Sequence, residues 1–259
     1  MCPNSTVPGG RMLDDLAGLG PFFAVGSHPP RVAPIPPWRP AGELLSPSGP
    51  LMDRIASVAA ALARRAGLAA DEVEQRAAAS TVHLGLAARL ASPALGAAVL
   101  GCPLDLRPGG LWWQEAAGGP VPLSVPAPAR GARADGAGRA PGEWQRVLLD
   151  EVLAPATAAI ARLVPVSARV LRGNVASAVN AAAREVARQR PDLADGAWRA
   201  AARLFASPLL ASERHPPGPA FRRSSCCLLY RVAPGGRADI CGDCVLGAHP
   251  APGSAGSVA

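Results

Sequence analysis

The chain contains no lysine: all 26 of its basic residues are arginines, set against 19 acids, for a formal net charge of +7 and a pI near 9.9. The arginines are scattered along the chain, without clusters and without interleaved aromatics, which argues against nucleic-acid binding. An anionic substrate, an acidic protein partner or a plain compositional bias fits that distribution. Aromatic residues are also scarce, at 4%, although hydrophobic residues make up 49% and much of that is alanine. Alanine favours helix and close helix packing while adding little buried area per residue. The expectation is an alanine-rich helical protein with a thin core. Its 259 residues suffice for one large domain or two small ones.

Other features are missing as well. Residues 1–10 lack the basic and apolar regions of a signal peptide. The most apolar windows, 58–68 and 84–104, are interrupted by Arg64, Arg65, Arg89 and Pro93 before membrane-spanning length. No glycine fingerprint for a nicotinamide or flavin is present. These absences predict a cytoplasmic protein, free or peripheral to the inner face of the membrane, that does not span it. Cysteine is scarce until the end: Cys2 and Cys102 stand alone, whereas Cys226, Cys227, Cys241 and Cys244 fall close together.

Proline and glycine divide what is present. Residues 1–50 form a proline-rich arm in which only Met12–Leu19 could be helical; His28 and Trp38 lie there without an evident function. Residues 51–125 predict a helical region and then a hairpin. The helices run over Leu51–Gly67, from Asp71-Glu72 to about Ala91, and, after Ser92-Pro93, over Pro93–Leu100. His83 lies on a mostly apolar face, where a packed core histidine is the plainer reading and a ligand the sharper one. Leu111-Trp112-Trp113 and Val121–Val125 predict a β-hairpin, with the two tryptophans on opposite faces.

Residues 126–141 are low in complexity and predict a flexible linker. Residues 142–220 predict a helix kinked or broken at Pro155, a long helix Ala168–Gln189 capped by Ser167, and a further helix Ala194–Phe205. The cysteine segment occupies 221–247 and a disordered tail 248–259. The fold class is therefore mainly α with a small β-hairpin (α+β), an alanine-rich helical domain ending in a cysteine segment.

Three chemistries compete for Cys226-Cys227-x13-Cys241-x2-Cys244. Structural zinc suits Cys241-Gly-Asp-Cys244 as one chelating loop, but the adjacent pair diverges and rarely holds one ion. A thioredoxin-like dithiol needs a βαβ unit that the pattern does not show, and leaves two cysteines over. A 2Fe-2S cluster is extended enough to use all four. Clustered cysteines in a reducing compartment favour metal or catalysis over disulfides. Cys2 and Cys102 read as bystanders.

Arg-Arg-Ser-Ser-Cys-Cys-Leu-Leu-Tyr-Arg (222–231), Pro-Gly-Gly and Cys-Gly-Asp-Cys-Val-Leu (241–246) resemble the C-terminal signature of the FhuF-like ferric-siderophore reductases. Weaker likenesses lie at His83–Leu95, in the Leu111-Trp-Trp hairpin and at Gly173–Ala178. The resemblance implies a 2Fe-2S cluster held by Cys226, Cys227, Cys241 and Cys244, with no catalytic residue beyond it. It further implies one-electron reduction of a ferric siderophore, a hydroxamate above all, with electrons from a donor protein. Arg222, Arg223, Arg231 and Arg237 flank the ligands as candidate contacts for substrate or donor, or as a solvated surface. The family pattern places ten residues between the cysteine pair and the third cysteine; here there are thirteen, the extra length falling in Ala233–Asp239. A non-enzymatic cluster or zinc protein, acting as an iron or redox sensor or a chelate-binding module, is the competing class.

Overall fold

The computed structural model describes residues 10–116, 119–127, 142–232 and 240–247. The expected linker from residue 128 onward, the tail and the loop 233–239 lie outside the described residues. Helices dominate, as the alanine content dictates, and one of them organises the rest. This is α4, Gln75–Val99, which packs lengthwise along α7, Ala168–Gln189. Around the pair lie α1 (Gly10–Gly18), α3 (Gly49–Ala66), α6 (Ala154–Leu163) and α8 (Ala194–Phe205). A short helix α2, Gly42–Leu45, precedes α3.

Local chemistry sets several of these boundaries. Ser48 accepts a hydrogen bond from the Leu51 amide at the start of α3, and Gly67, at φ 68°, closes its end in the left-handed conformation. Ser167 caps α7 in the expected way. Two expectations fail at prolines. The helix that was to break at Ser92-Pro93 runs straight through to Val99. An interior proline costs about 3 kcal/mol in an isolated helix. Here every residue from Arg89 to Ala97 is buried, so surrounding elements hold the backbone helical on all sides. At Pro155 the helix does not break: α5 (Glu143–Arg146) passes through a π-helical stretch, Val147–Leu153, into α6. Widening the turns ahead of the proline accommodates the donor that its ring removes.

Because α4 is continuous, it is long and apolar enough to cross a membrane, contrary to the expectation from Arg89 and Pro93. Yet 72% of its apolar window is buried inside the protein, so that surface already has partners. Arg89 itself is buried. It donates to the carbonyls of Val121 (2.6 Å), Phe22 (2.8 Å) and Ala24 (2.5 Å), clamping the N-terminal region and the sheet onto α4. Burial lowers its pKa to about 10, which leaves the guanidinium charged at neutral pH. Nearby, a Cβ on Gly96 would come within 2.8 Å of Leu16 and 2.9 Å of Phe23; only glycine admits α1 this close.

The hairpin forms as expected but is part of something larger. Four strands pair in the order β1-β4-β3-β2, with β1 Gly26–His28, β2 Arg39–Pro40, β3 Trp112–Trp113 and β4 Leu123–Pro126. β3 and β4 are antiparallel, β2 joins β3 antiparallel and β1 joins β4 parallel. The proline-rich region thus supplies two strands, and also Met12, Leu16, Leu19, Phe23 and Leu44 to the core. His28 Nδ1 is 2.8 Å from Ser124 Oγ across the β1–β4 pair. The tryptophans face opposite ways: Trp113 is fully buried, with Arg39 stacked 5.2 Å from its ring centre, and Trp112 is half-buried. Trp113→Ala is expected to cost about 3–5 kcal/mol of stability, measurable as a lower urea midpoint in equilibrium unfolding.

Candidate metal centre

The cysteine segment lies across the α4–α7 pair and is fixed there residue by residue. Phe221 enters first, buried edge-on against Phe205 of α8, with ring centres 5.6 Å apart. Ser224 receives a carboxylate, its amide donating to Glu213 Oε2 at 3.1 Å. Ser225 Oγ donates to the Arg169 carbonyl (2.9 Å) on the first turn of α7. From α4, Ser80 Oγ donates to the Cys227 carbonyl at 2.7 Å. Leu228 then takes a left-handed φ of 69°, turning the chain away behind the cysteine pair.

The second cysteine loop is tied to the first and to the same platform. The Arg223 amide donates to the Asp243 carbonyl (3.0 Å), and Arg222 Nη1 to that of Gly242 (3.0 Å). Ser177 of α7 donates to the Asp243 carboxylate. The Cys244 amide donates to the Cys241 carbonyl at 3.0 Å, closing Cys-Gly-Asp-Cys into a tight turn.

Beneath the pair is a buried polar cluster that the sequence did not announce. Arg223, only 1% exposed, donates from Nη2 to Asn174 Oδ1 (2.6 Å) and to the Val170 carbonyl (3.3 Å). Asn174 Nδ2 faces the Ser80 carbonyl (3.0 Å), Ser80 Oγ (3.1 Å) and His83 Nδ1 (3.4 Å). Thr157 donates to the Leu153 carbonyl, so its oxygen accepts from His83 Nε2 at 2.9 Å. That sequence of donors leaves His83 neutral with its proton on Nε2. Burial, then the Arg223 charge, lower its pKa to about 3. His83 is therefore a satisfied core histidine.

Cys226, Cys227, Cys241 and Cys244 are free thiols, Cys227 and Cys244 buried and the other two half-exposed. Cys102 is disulfide-bonded, and not to any of these four. Cys227 and Cys241 lie Sγ to Sγ at 3.8 Å. Two thiolates on one metal, at bonds of about 2.3 Å and a near-tetrahedral angle, stand about 3.8 Å apart. The two thiols titrate as a pair: the hydrogen bond from Cys241 lowers the pKa of Cys227 to about 6, and the same bond, then burial, raises that of Cys241. Burial raises Cys226, which also feels the charges of Cys227 and Cys244. The sulfurs of Cys226 and Cys244 accept amide hydrogens from Leu228 (3.3 Å) and Leu246 (3.4 Å).

These residues fit a 2Fe-2S cluster. Among the described residues, no three His, Cys, Asp or Glu side chains converge to hold a single ion. Four thiols spread over two linked turns suit an extended two-iron rhomb better than a lone tetrahedral zinc. Backbone amides aimed at sulfur are the hydrogen bonds that stabilise such clusters and tune their potentials. The arrangement is that of a 2Fe-2S iron–sulfur protein, with a mainly helical platform carrying the centre near its C-terminal end. Residues 223–246 match the family model described as the FhuF 2Fe-2S C-terminal domain. The segment is similar to a FhuF-type 2Fe-2S domain, and the chain is an iron–sulfur protein. No curated protein matches the chain.

Of the four flanking arginines, the structure separates three. Arg222 lies over the second loop, Arg231 is exposed and ion-paired to Glu74 at 2.6 Å, and Arg223 is buried beyond reach of a chelate or partner. Arg237 and the three-residue insertion lie outside the described residues. Sequence reasoning did not find Ser80, Ser177, Ser225 or the inward course of Arg223. Its one available signal was the Gly173–Ala178 likeness, which falls within α7.

Proposed function

We propose that this protein reduces ferric siderophore complexes, one electron per ferric ion, releasing Fe(II) for assimilation. The observation that carries the reading is the position of the four free thiols. They are braced from below by α4 and α7, yet Cys226 and Cys241 stay half-exposed at the protein surface. A 2Fe-2S centre held by Cys226, Cys227, Cys241 and Cys244 supplies one-electron chemistry when bound. One electron leaves a donor protein and one ferric ion gains it. Hard oxygen donors of hydroxamate type match Fe(III) and match Fe(II) poorly, so reduction loosens the chelate.

The chain's own residues supply access and attraction. Arg222 places positive charge over the second cysteine loop, and Val245 and Leu246 are exposed beside Cys244. That edge suits an anionic chelate or an acidic donor protein. A cytoplasmic setting, free or at the inner face of the membrane, belongs to the same reading, as does the lack of a nucleic-acid partner. The test is kinetic. Anaerobically reduced protein mixed with a ferric hydroxamate should lose its reduced-state spectrum within the mixing time course, with Fe(II) trapped by a ferrous chelator. Reduced protein indifferent to such complexes would leave a sensor or chelate-binding role in place of reduction.

A further inference from the structure

Arg223 carries a buried charge with no ion-pair partner among the described residues. It is only 1% exposed. Among the described residues the partners of its side chain are neutral, the Asn174 amide oxygen and the Val170 carbonyl, both through Nη2. Nε and Nη1 are buried with no hydrogen-bond partner among them. The Asp243 carboxylate accepts from Ser177 and makes no ion pair with Arg223. Arginine does not escape by losing its proton, and a buried, unpaired cation is among the most destabilising groups a fold can hold. Nonetheless α7 is shaped to receive it. Gly173 lacks the Cβ that would stand 3.1 Å from Nη2, 3.5 Å from Nε and 2.5 Å from Ser225 Oγ. Arg223 Nη2 donates to Asn174, Asn174 Nδ2 faces Ser80 Oγ, and Ser80 Oγ donates to the Cys227 carbonyl, which sets the guanidinium beneath the cysteine pair.

We propose that Arg223 is the buried counter-ion of the iron–sulfur centre, a positioning residue whose charge is balanced only when the cluster sits on the cysteine pair above it. Four thiolates and two sulfides outweigh two ferric ions, so the centre is anionic when oxidised and more so when reduced. A fixed cation beneath it favours the reduced state and raises the potential. In the cluster-free protein the same cation is uncompensated and weakens the fold, so cluster occupancy and stability are coupled through one side chain. This rests on the cluster assignment, not on the substrate.

The experiment is a redox titration of the anaerobically purified holoprotein and its variants, followed by visible absorbance and electron paramagnetic resonance. Arg223→Met should make the centre at least tenfold harder to reduce, a fall of about 59 mV for one electron. Arg223→Lys, which keeps the charge, should restore most of it. Asn174→Asp sets a carboxylate against Nη2 and should lower the potential in the same direction without removing the arginine. In the cluster-free proteins, R223M should melt no lower than the wild type, while in the loaded proteins the wild type melts higher. If R223M fails to load, loading by R223K still supports the charge, and failure of both with an unmoved N174D potential overturns it. An unchanged potential in R223M also overturns it. A colourless, iron-free wild type would instead sink the cluster assignment itself.

Discussion

Cys241→Ser is expected to convert a red-brown protein carrying about two iron atoms per chain into a colourless one. Cys241 is the most informative of the four because it joins the two halves of the site. Its sulfur stands 3.8 Å from Cys227, and its carbonyl accepts the Cys244 amide that closes the second loop. Serine preserves the turn but offers a hydroxyl, which ligates soft iron–sulfur irons far less well than thiolate. The fold should survive, since Cys241 is half-exposed and packs little of the core. Iron analysis and the visible spectrum of anaerobically purified protein read the result directly. Far-ultraviolet circular dichroism should be unchanged. A variant that retained colour and iron would place the centre elsewhere, and a wild type carrying zinc without colour would overturn the cluster altogether.

The second large effect is expected at a residue that touches no metal. Gly173→Ala should impair cluster retention by at least tenfold, although the substitution is to the best helix former and lies inside α7. On an exposed helix face it would stabilise by roughly 1 kcal/mol. Here the new Cβ would meet Ser225 Oγ at 2.5 Å and Arg223 Nη2 at 3.1 Å, closer than packed atoms tolerate. Overpacking of this kind costs about 1–3 kcal/mol, and relief comes when the Ser225 hydroxyl swings away or the 225–227 backbone lifts off the helix. Lifting it would break the Ser225 bond to Arg169 and strain the Ser80 bond to Cys227. The measurement is the half-life of the visible chromophore under a fixed iron chelator, with thermal unfolding alongside. A G173A protein as durable as the wild type would show that the cysteine pair does not depend on its seat.

Particular residues show how far the sequence could be read. The four candidate ligands were legible because cysteine is rare here and thiolate is the usual donor to an iron–sulfur cluster. Helical periodicity placed α3, α7 and α8 nearly to the residue, because caps such as Ser48, Ser167 and Gly67 act over one turn of chain. The same local rules mispredicted α4 and the region before it. Pro93 breaks an isolated helix, but α4 is held by burial from every side. The prolines of residues 26–40 mark an extended chain, and nothing local says that β1 pairs with residues 124–126.

By itself, then, the sequence determined the class of the protein and singled out its candidate metal donors: a mainly α chain with a Trp-Trp hairpin and a 2Fe-2S segment holding four clustered cysteines. Only the tertiary structure decided what that segment stands on. Ser80 and Cys227 are 147 positions apart, and Asn174 and Arg223 are 49 apart. None of these is unusual in composition, and each acquires its role only when α4 and α7 pack together beneath the segment. Burial made the difference, since it turned Arg223 from one more solvated arginine into a charge that has to be met.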